Sequence, residues 1–227
     1  MEEQEYDVLI EKTADGSNTL FVPELDEHYH SIKGALTESR HIFINMGLKH
    51  LSQENYHIFE VGFGTGLNAF LTYLTAKELK SSIHYTAIEL YPLKKEVIQS
   101  LAYPSIVSSG RIEDFYQLHL SPWEEDYPIN KSFILKKIKG DYTQYNFPVD
   151  CYDIIYFDAF APEKQPEMWT QQLFDGLHSS LKTNGLLVTY CAKGVVRRML
   201  QSAGFKVERL PGPPGGKREI LRGTKYQ

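Results

Sequence analysis

Three glycines fall within five residues in the run EVGFGTGLN at 60–68, directly after the apolar stretch 56–59. A strand therefore runs into a turn holding Gly62, Gly64 and Gly66, and a helix opens near Leu67. Glycine serves where φ must be positive or where a ligand must touch main chain. The turn thus reads as a place where a small molecule lies against the backbone; a purely structural turn is the plainer alternative. The spacing is G-x-G-x-G, not the G-x-G-x-x-G that sets a pyrophosphate at a helix N-terminus. An acid, Glu60, stands two residues ahead of the turn. Glu89 ends the next apolar run, IHYTAIEL at 83–90, where an acid meets the two hydroxyls of an adenosine ribose. A solvated strand end is the alternative there. A third acid, Asp158, closes the apolar start of YFDAFAPEKQPEMW at 156–169. Pro162 and Pro166 stiffen the loop that follows, so Asp158 and Phe160 are held in place. A carboxylate beside an aromatic ring suits an amine or a flat base as acceptor, because the acid orients the amine and takes its proton while the ring stacks. Capping of its own loop is the other role open to Asp158. Trp169 is expected in the core.

These groups need elements to position them. Residues 1–52 read as an N-terminal extension: a hairpin with strands at 6–10 and 19–22 around Asp15-Gly16-Ser17-Asn18, then a helix over about 36–51 that buries Ile42, Phe43 and Met46. Residues 53–227 alternate strand and helix. A helix at 67–79 places Leu67, Phe70, Leu71 and Leu74 on one face. Another follows Pro92, with short helical pattern near 113–119 and further helices at about 167–181 and 195–203. Strands are expected at 133–138, 152–157, 186–190, 206–210 and 219–222. The sum is an α/β domain with a Rossmann-like doubly wound sheet, its last strand antiparallel. In such sheets the ligand crevice lies beyond the carboxyl ends of the strands, where Glu60, the glycines, Glu89, Asp141 and Asp158 converge.

Composition bounds the function. Of 227 residues, 42% are hydrophobic and 23% charged, ordinary for a soluble enzyme that buries a core. No apolar run approaches the roughly 18 residues of a membrane span. The acidic start MEEQEYDVLIEK has no signal-peptide core, so a cytoplasmic protein with no membrane partner is expected. Cys151 and Cys191 lack metal-ligand spacing and read as reduced thiols, with no metal site. Net charge is −5, unevenly spread. From 193 onward nine cations (Lys193, Arg197, Arg198, Lys206, Arg209, Lys217, Arg218, Arg222, Lys225) face only Glu208 and Glu219, leaving +7 there and −12 on the rest. Such asymmetry points to a polyanionic partner at one face, or to a solvated basic surface.

Five segments together resemble one family: TESRHIF (37–43), EVGFGTGLN, FDAFAPEKQPEMW, KGVVRRMLQSAGF (193–205) and GGKREILRG (215–223). They look like the methyltransferase half of the bifunctional MnmC enzymes, a half that also exists alone. The G-x-G-x-G turn behind an acid is the form typical of S-adenosyl-L-methionine (SAM) methyltransferases. The resemblance implies a class I SAM-dependent methyltransferase fold. It also implies N-methylation of the 5-aminomethyl group of 5-aminomethyl-2-thiouridine at the tRNA wobble position, giving the 5-methylaminomethyl product. By the same resemblance Asp158 is the catalytic-pocket aspartate, and Asp141 is the adenine-side acid. Glu60, Gly62, Phe63, Gly64, Thr65, Gly66, Asn68 and Glu89 match the SAM contacts. Tyr29 and Phe160 are stacking candidates for a base turned out of the anticodon stem-loop. Lys193, Arg197, Arg198, Lys217 and Arg218 are expected at tRNA phosphates, positioning the loop without reading its sequence. Two departures stand out: Ala159 where many relatives have glycine, and no flavin oxidase half within the 227 residues, so the aminomethyl form is expected from a separate route. Two other classes fit parts of the pattern. An aminopropyltransferase would need several acids after Asp158 where only Glu163 follows, and a non-catalytic SAM- or tRNA-binding accessory protein would not need Asp158.

Overall fold

The structure, a computed structural model, describes residues 6–107 and 111–226. The extension opens with β1 (Leu9–Lys12) and β2 (Asn18–Val22), paired antiparallel with Leu9 opposite Phe21, and the two-residue β3 (Glu27–His28) completes a small sheet. Asp15 ties the turn together, accepting from Ser17 N and, through its other oxygen, from Thr37 N at 2.8 Å. The hairpin is thereby pinned to α1 (Ala35–Ser39). The single helix expected over 36–51 is not formed. After α1 the chain takes a π-helical turn at Arg40–Asn45 and a 3₁₀ turn at Leu48–His50. Gly47 explains the break, since a Cβ there would lie 2.5 Å from the Phe43 carbonyl oxygen. The widened turn buries three consecutive residues, Ile42, Phe43 and Ile44, while Met46 is only half-buried.

The main domain follows as β4 (Asn55–Val61), α2 (Leu67–Leu79), β5 (Ser82–Glu89), α3 (Lys95–Ser100), α4 (Tyr103–Ile106), α5 (Ile112–Leu120), β6 (Asp126–Asn130), β7 (Phe133–Lys139), β8 (Tyr152–Phe157), α6 (Gln171–Ser180), β9 (Leu181–Thr189), α7 (Gly194–Ser202), β10 (Lys206–Pro211) and β11 (Glu219–Thr224). These strands form one sheet in the order β10-β11-β9-β8-β4-β5-β7-β6. Pairing is parallel from β9 through β7, and β11 runs antiparallel between β9 and β10. A second antiparallel strand, β6, was not foreseen. Its sequence DYPIN carries Pro128, which cannot donate to a ladder and is tolerated at a sheet edge. Pro166 also shifts an expected boundary: it opens a 3₁₀ turn, and α6 begins only after Thr170, whose hydroxyl accepts from Leu173 N.

Residues alternate sides along a strand, so the continuous apolar runs of the central strands feed two layers. Phe43, Phe70, Tyr85 and Tyr156 fill one, and Phe59, Phe157, Phe174 and Leu200 the other. Each such side chain contributes about 1.5–3 kcal/mol by leaving water. The expected one-sided burial of α2 gives way to burial of every residue from Leu67 to Ala76. The extension and α5 cover the helix face that the sheet leaves open. Among the described residues no helix is long and apolar enough to cross a membrane.

Candidate functional site

A cavity of about 440 Å³ opens past the carboxyl ends of the central strands, and residues of the extension, from Tyr6 to Glu38, close part of its wall. The glycine turn forms its floor. Gly62, Gly64 and Gly66 all have positive φ, +87°, +47° and +69°. A Cβ on Gly62 would lie 3.0 Å from the Asp158 carbonyl oxygen, and one on Gly64 3.0 Å from the Tyr29 ring. The turn is therefore bare main chain, shaped by close approach on both sides. Glu89 staples it: one carboxylate oxygen accepts from Gly64 N at 2.9 Å and the other from Tyr91 N at 2.9 Å. Burial raises the Glu89 carboxyl pKa against those hydrogen bonds. Thr65 is held at two points. His30 Nε2 lies 2.7 Å from its hydroxyl, and His119 Nε2 donates to its carbonyl at 3.1 Å. Burial lowers the pKa of His30 to about 4 and of His119 to about 3, so both rings are neutral. Phe63 packs edge-on against His119. Asp141 lines the far end and caps a 3₁₀ turn, accepting from Thr143 N at 2.8 Å.

Two residues expected at the ligand are not on the cavity wall. Gly66 packs behind it, against His119. Glu60 is fully buried beneath α2, and burial raises its carboxyl far above the usual range, with the neighbouring Asn68 and Tyr85 side chains opposing the rise. Strand alternation is the reason, since Glu60 faces the layer of Ile58 while the cavity lies beyond Val61.

Asp158 does face the cavity. Its Oδ2 accepts from Asn68 Nδ2 at 2.8 Å, which ties it to the first turn of α2. Burial pushes its carboxyl up to about 7; the Asn68 hydrogen bond opposes this, Glu38 adds to it and Lys217 opposes it. Phe160 meets Tyr29 edge-on, ring centres 5.0 Å apart. The loop between is pinned from the core, as Trp169 Nε1 donates to Phe160 O at 2.8 Å and the Tyr190 hydroxyl to Ala159 O at 2.9 Å.

The nine C-terminal cations do not form one patch. Arg222 and Lys225 are buried cations paired with the exposed acids Glu208 and Asp150, and Arg209 pairs with Glu219. Lys193 lines the cavity and pairs with Glu163. Lys217 also turns inward, onto Glu38. Arg197, Arg198 and Arg218 lie outside the cavity with no ion pair among the described residues. Sequence reasoning passed over Tyr6, His30, Glu38, Tyr91 and Tyr190, all on the wall. For Glu38 the available signal was its place in the segment TESRHIF.

A family model described as S-adenosyl-L-methionine-dependent methyltransferase matches residues 126–226. The chain is 31% identical to the tRNA 5-methylaminomethyl-2-thiouridine biosynthesis bifunctional protein MnmC of Aeromonas hydrophila, over 90% of this chain and 33% of that one. It is 34% identical to the protein of the same name from Pseudomonas fluorescens, over 87% and 32%. The crystal structure of MNMC2 from Aquifex aeolicus aligns with a TM-score of 0.79 at 28% identity, covering 99% of this chain and 72% of that one. The chain is thus similar to the MnmC proteins over nearly its whole length. It spans about a third of the length of the curated MnmC relatives it matches. Spermidine synthase from Thermotoga maritima shares the fold alone, with a TM-score of 0.61 at 12% identity. The matching family model names SAM as cofactor, and the site fits it: a bare, positive-φ main-chain cradle with Glu89 and Asp141 on the same cavity wall.

Proposed function

We propose that this chain N-methylates the 5-aminomethyl group of 5-aminomethyl-2-thiouridine at the tRNA wobble position. One observation carries the reading: Asp158, tied by Asn68 to the helix that leaves the glycine turn, presents a carboxyl with a pKa of about 7 to the same cavity the turn lines. When bound, SAM would supply a sulfonium-activated methyl group for transfer to the amine nitrogen, leaving the neutral thioether. Gly62, Phe63, Gly64, Thr65 and Asn68 hold the methionine side, Glu89 the ribose and Asp141 the adenine side. Glu60 and Gly66 support that cradle from behind. The acceptor amine, like a lysine, is mostly protonated near neutral pH, and transfer needs its lone pair. Asp158 orients the ammonium and takes its proton; a base poised near the working pH suits that task. Fixing donor and acceptor in one cavity recovers roughly 7–11 kcal/mol of barrier. Tyr29 and Phe160 stack the base, turned out of the anticodon stem-loop. Arg197, Arg198 and Arg218, with Lys193 nearer the cavity, meet phosphates. The setting is cytoplasmic.

The test is mass analysis of wobble nucleosides after incubating enzyme and SAM with tRNA that carries the unmethylated amine. Gain of one methyl on that nucleoside is the expected result. An unchanged nucleoside with intact SAM binding would overturn the proposal.

A further inference from the structure

The cavity of an enzyme for a cationic amine contains a lysine of its own. Lys217 reaches in from the β10–β11 loop, and its Nζ donates to Glu38 Oε1 at 2.6 Å. It also stands 4.6 Å from the centre of the Tyr190 ring. The other Glu38 oxygen accepts from Ser31 N at 2.9 Å, and the Glu38 side chain is only 10% exposed. A carboxylate and an aromatic face around one ammonium make a built cation site. The loop is shaped to deliver that cation. Gly212 N donates to Arg218 O at 3.0 Å, and a Cβ on Gly212 would lie 1.7 Å from the Lys217 carbonyl oxygen, so only glycine permits this closure.

Tyr190, whose face receives Lys217, donates to the carbonyl of Ala159, next to Asp158. The tethered cation therefore sits at the acceptor end. The charged side chains on this part of the wall are Asp158, Glu38, Glu27, Lys217 and Lys193, the last paired with Glu163. With Glu38 neutralised by Lys217, Asp158 is left to hold one ammonium. We propose that Lys217 is a specificity-determining residue, a tethered occupant of a second ammonium site that confines the acceptor to a single amine and turns away diamines and polyamines. This rests on the amine-methylation reading above. Replacing Lys217 by a neutral side chain opens Glu38 and the Tyr190 face to the distal amine of a small diamine.

The experiment measures inhibition of tRNA methylation by 1,3-diaminopropane and by n-propylamine in wild type, Lys217→Gln and Lys217→Gln/Glu38→Gln, with folding checked by melting and SAM affinity by calorimetry. In Lys217→Gln the inhibition constant for the diamine should fall on the order of tenfold, the worth of one charge-assisted hydrogen bond. That for n-propylamine should hardly move, and the double variant should return the diamine to its wild-type value. Lys217→Met, which keeps the apolar stem, should reproduce the single variant should Lys217→Gln fail to fold. An unchanged diamine constant in a folded, SAM-binding variant would overturn the proposal. So would a gain that survives Glu38→Gln, which would assign the second amine to Glu27. A wild type that binds SAM but leaves the tRNA amine unmethylated would instead sink the functional reading.

Discussion

In the proposed function, cofactor binding depends most directly on Gly64. Its φ of +47° and the Tyr29 ring 3.0 Å from any added Cβ leave no place for a branched side chain. Gly64→Val should therefore abolish SAM binding, at a cost of about 1–3 kcal/mol in backbone strain that the fold can absorb. Calorimetry on a folded variant checks this, and wild-type affinity would remove the site. That Gly62, Gly64, Glu89 and Asp158 share one cavity was legible, because these residues stand at the ends of apolar strands. The places of Glu60 and Lys217 were not. Glu60 depends on which way one strand position faces, and Lys217 on a loop closure that charge counting along the chain cannot see.

Among elements, the extension does most that the sequence concealed. The pattern gave its hairpin, but not that β3 and the segment after it carry Tyr29 and His30 onto the glycine turn. Propensity is local, and this docking joins residues 35 positions apart. The single long helix was overruled by the close approach at Gly47, and one-sided α2 by the extension's cover. The docking makes stability pH-dependent. His30 is neutral when folded, with a pKa near 4, and takes a proton near 6.5 when unfolded, so its contribution is complete above about 6.5 and is lost as pH falls toward 4. Urea unfolding at pH 7 and pH 4.5 should show wild type losing about 2–3 kcal/mol that His30→Gln does not lose. Equal losses in the two proteins would place the imidazole in water.

For the molecule as a whole, the central sheet was readable because buried parallel strands announce themselves as apolar runs, while the polar edge strand β6 does not. The charge asymmetry was readable too, but only part of it is free to meet a polyanion. Replacing Arg197 and Arg198 by alanine should raise the KM for tRNA and lower the slope of log affinity against log salt by about 2, roughly one per phosphate contact. SAM affinity should stay constant, and an unaltered salt slope would return α7 to plain solvated surface. The proposed reaction turns on one group, the Asp158 carboxyl, pushed up to about 7 in the cavity that the glycine turn lines. The decisive measurement is single-turnover methylation of aminomethyl tRNA by wild type and Asp158→Asn, at saturating SAM and tRNA, across pH. Asp158→Asn should be slower by about 10²- to 10⁴-fold at pH 7, the range of general-base effects, with the deficit shrinking as pH approaches the amine's own pKa. A variant that methylates at the wild-type rate at pH 7 would contradict the account.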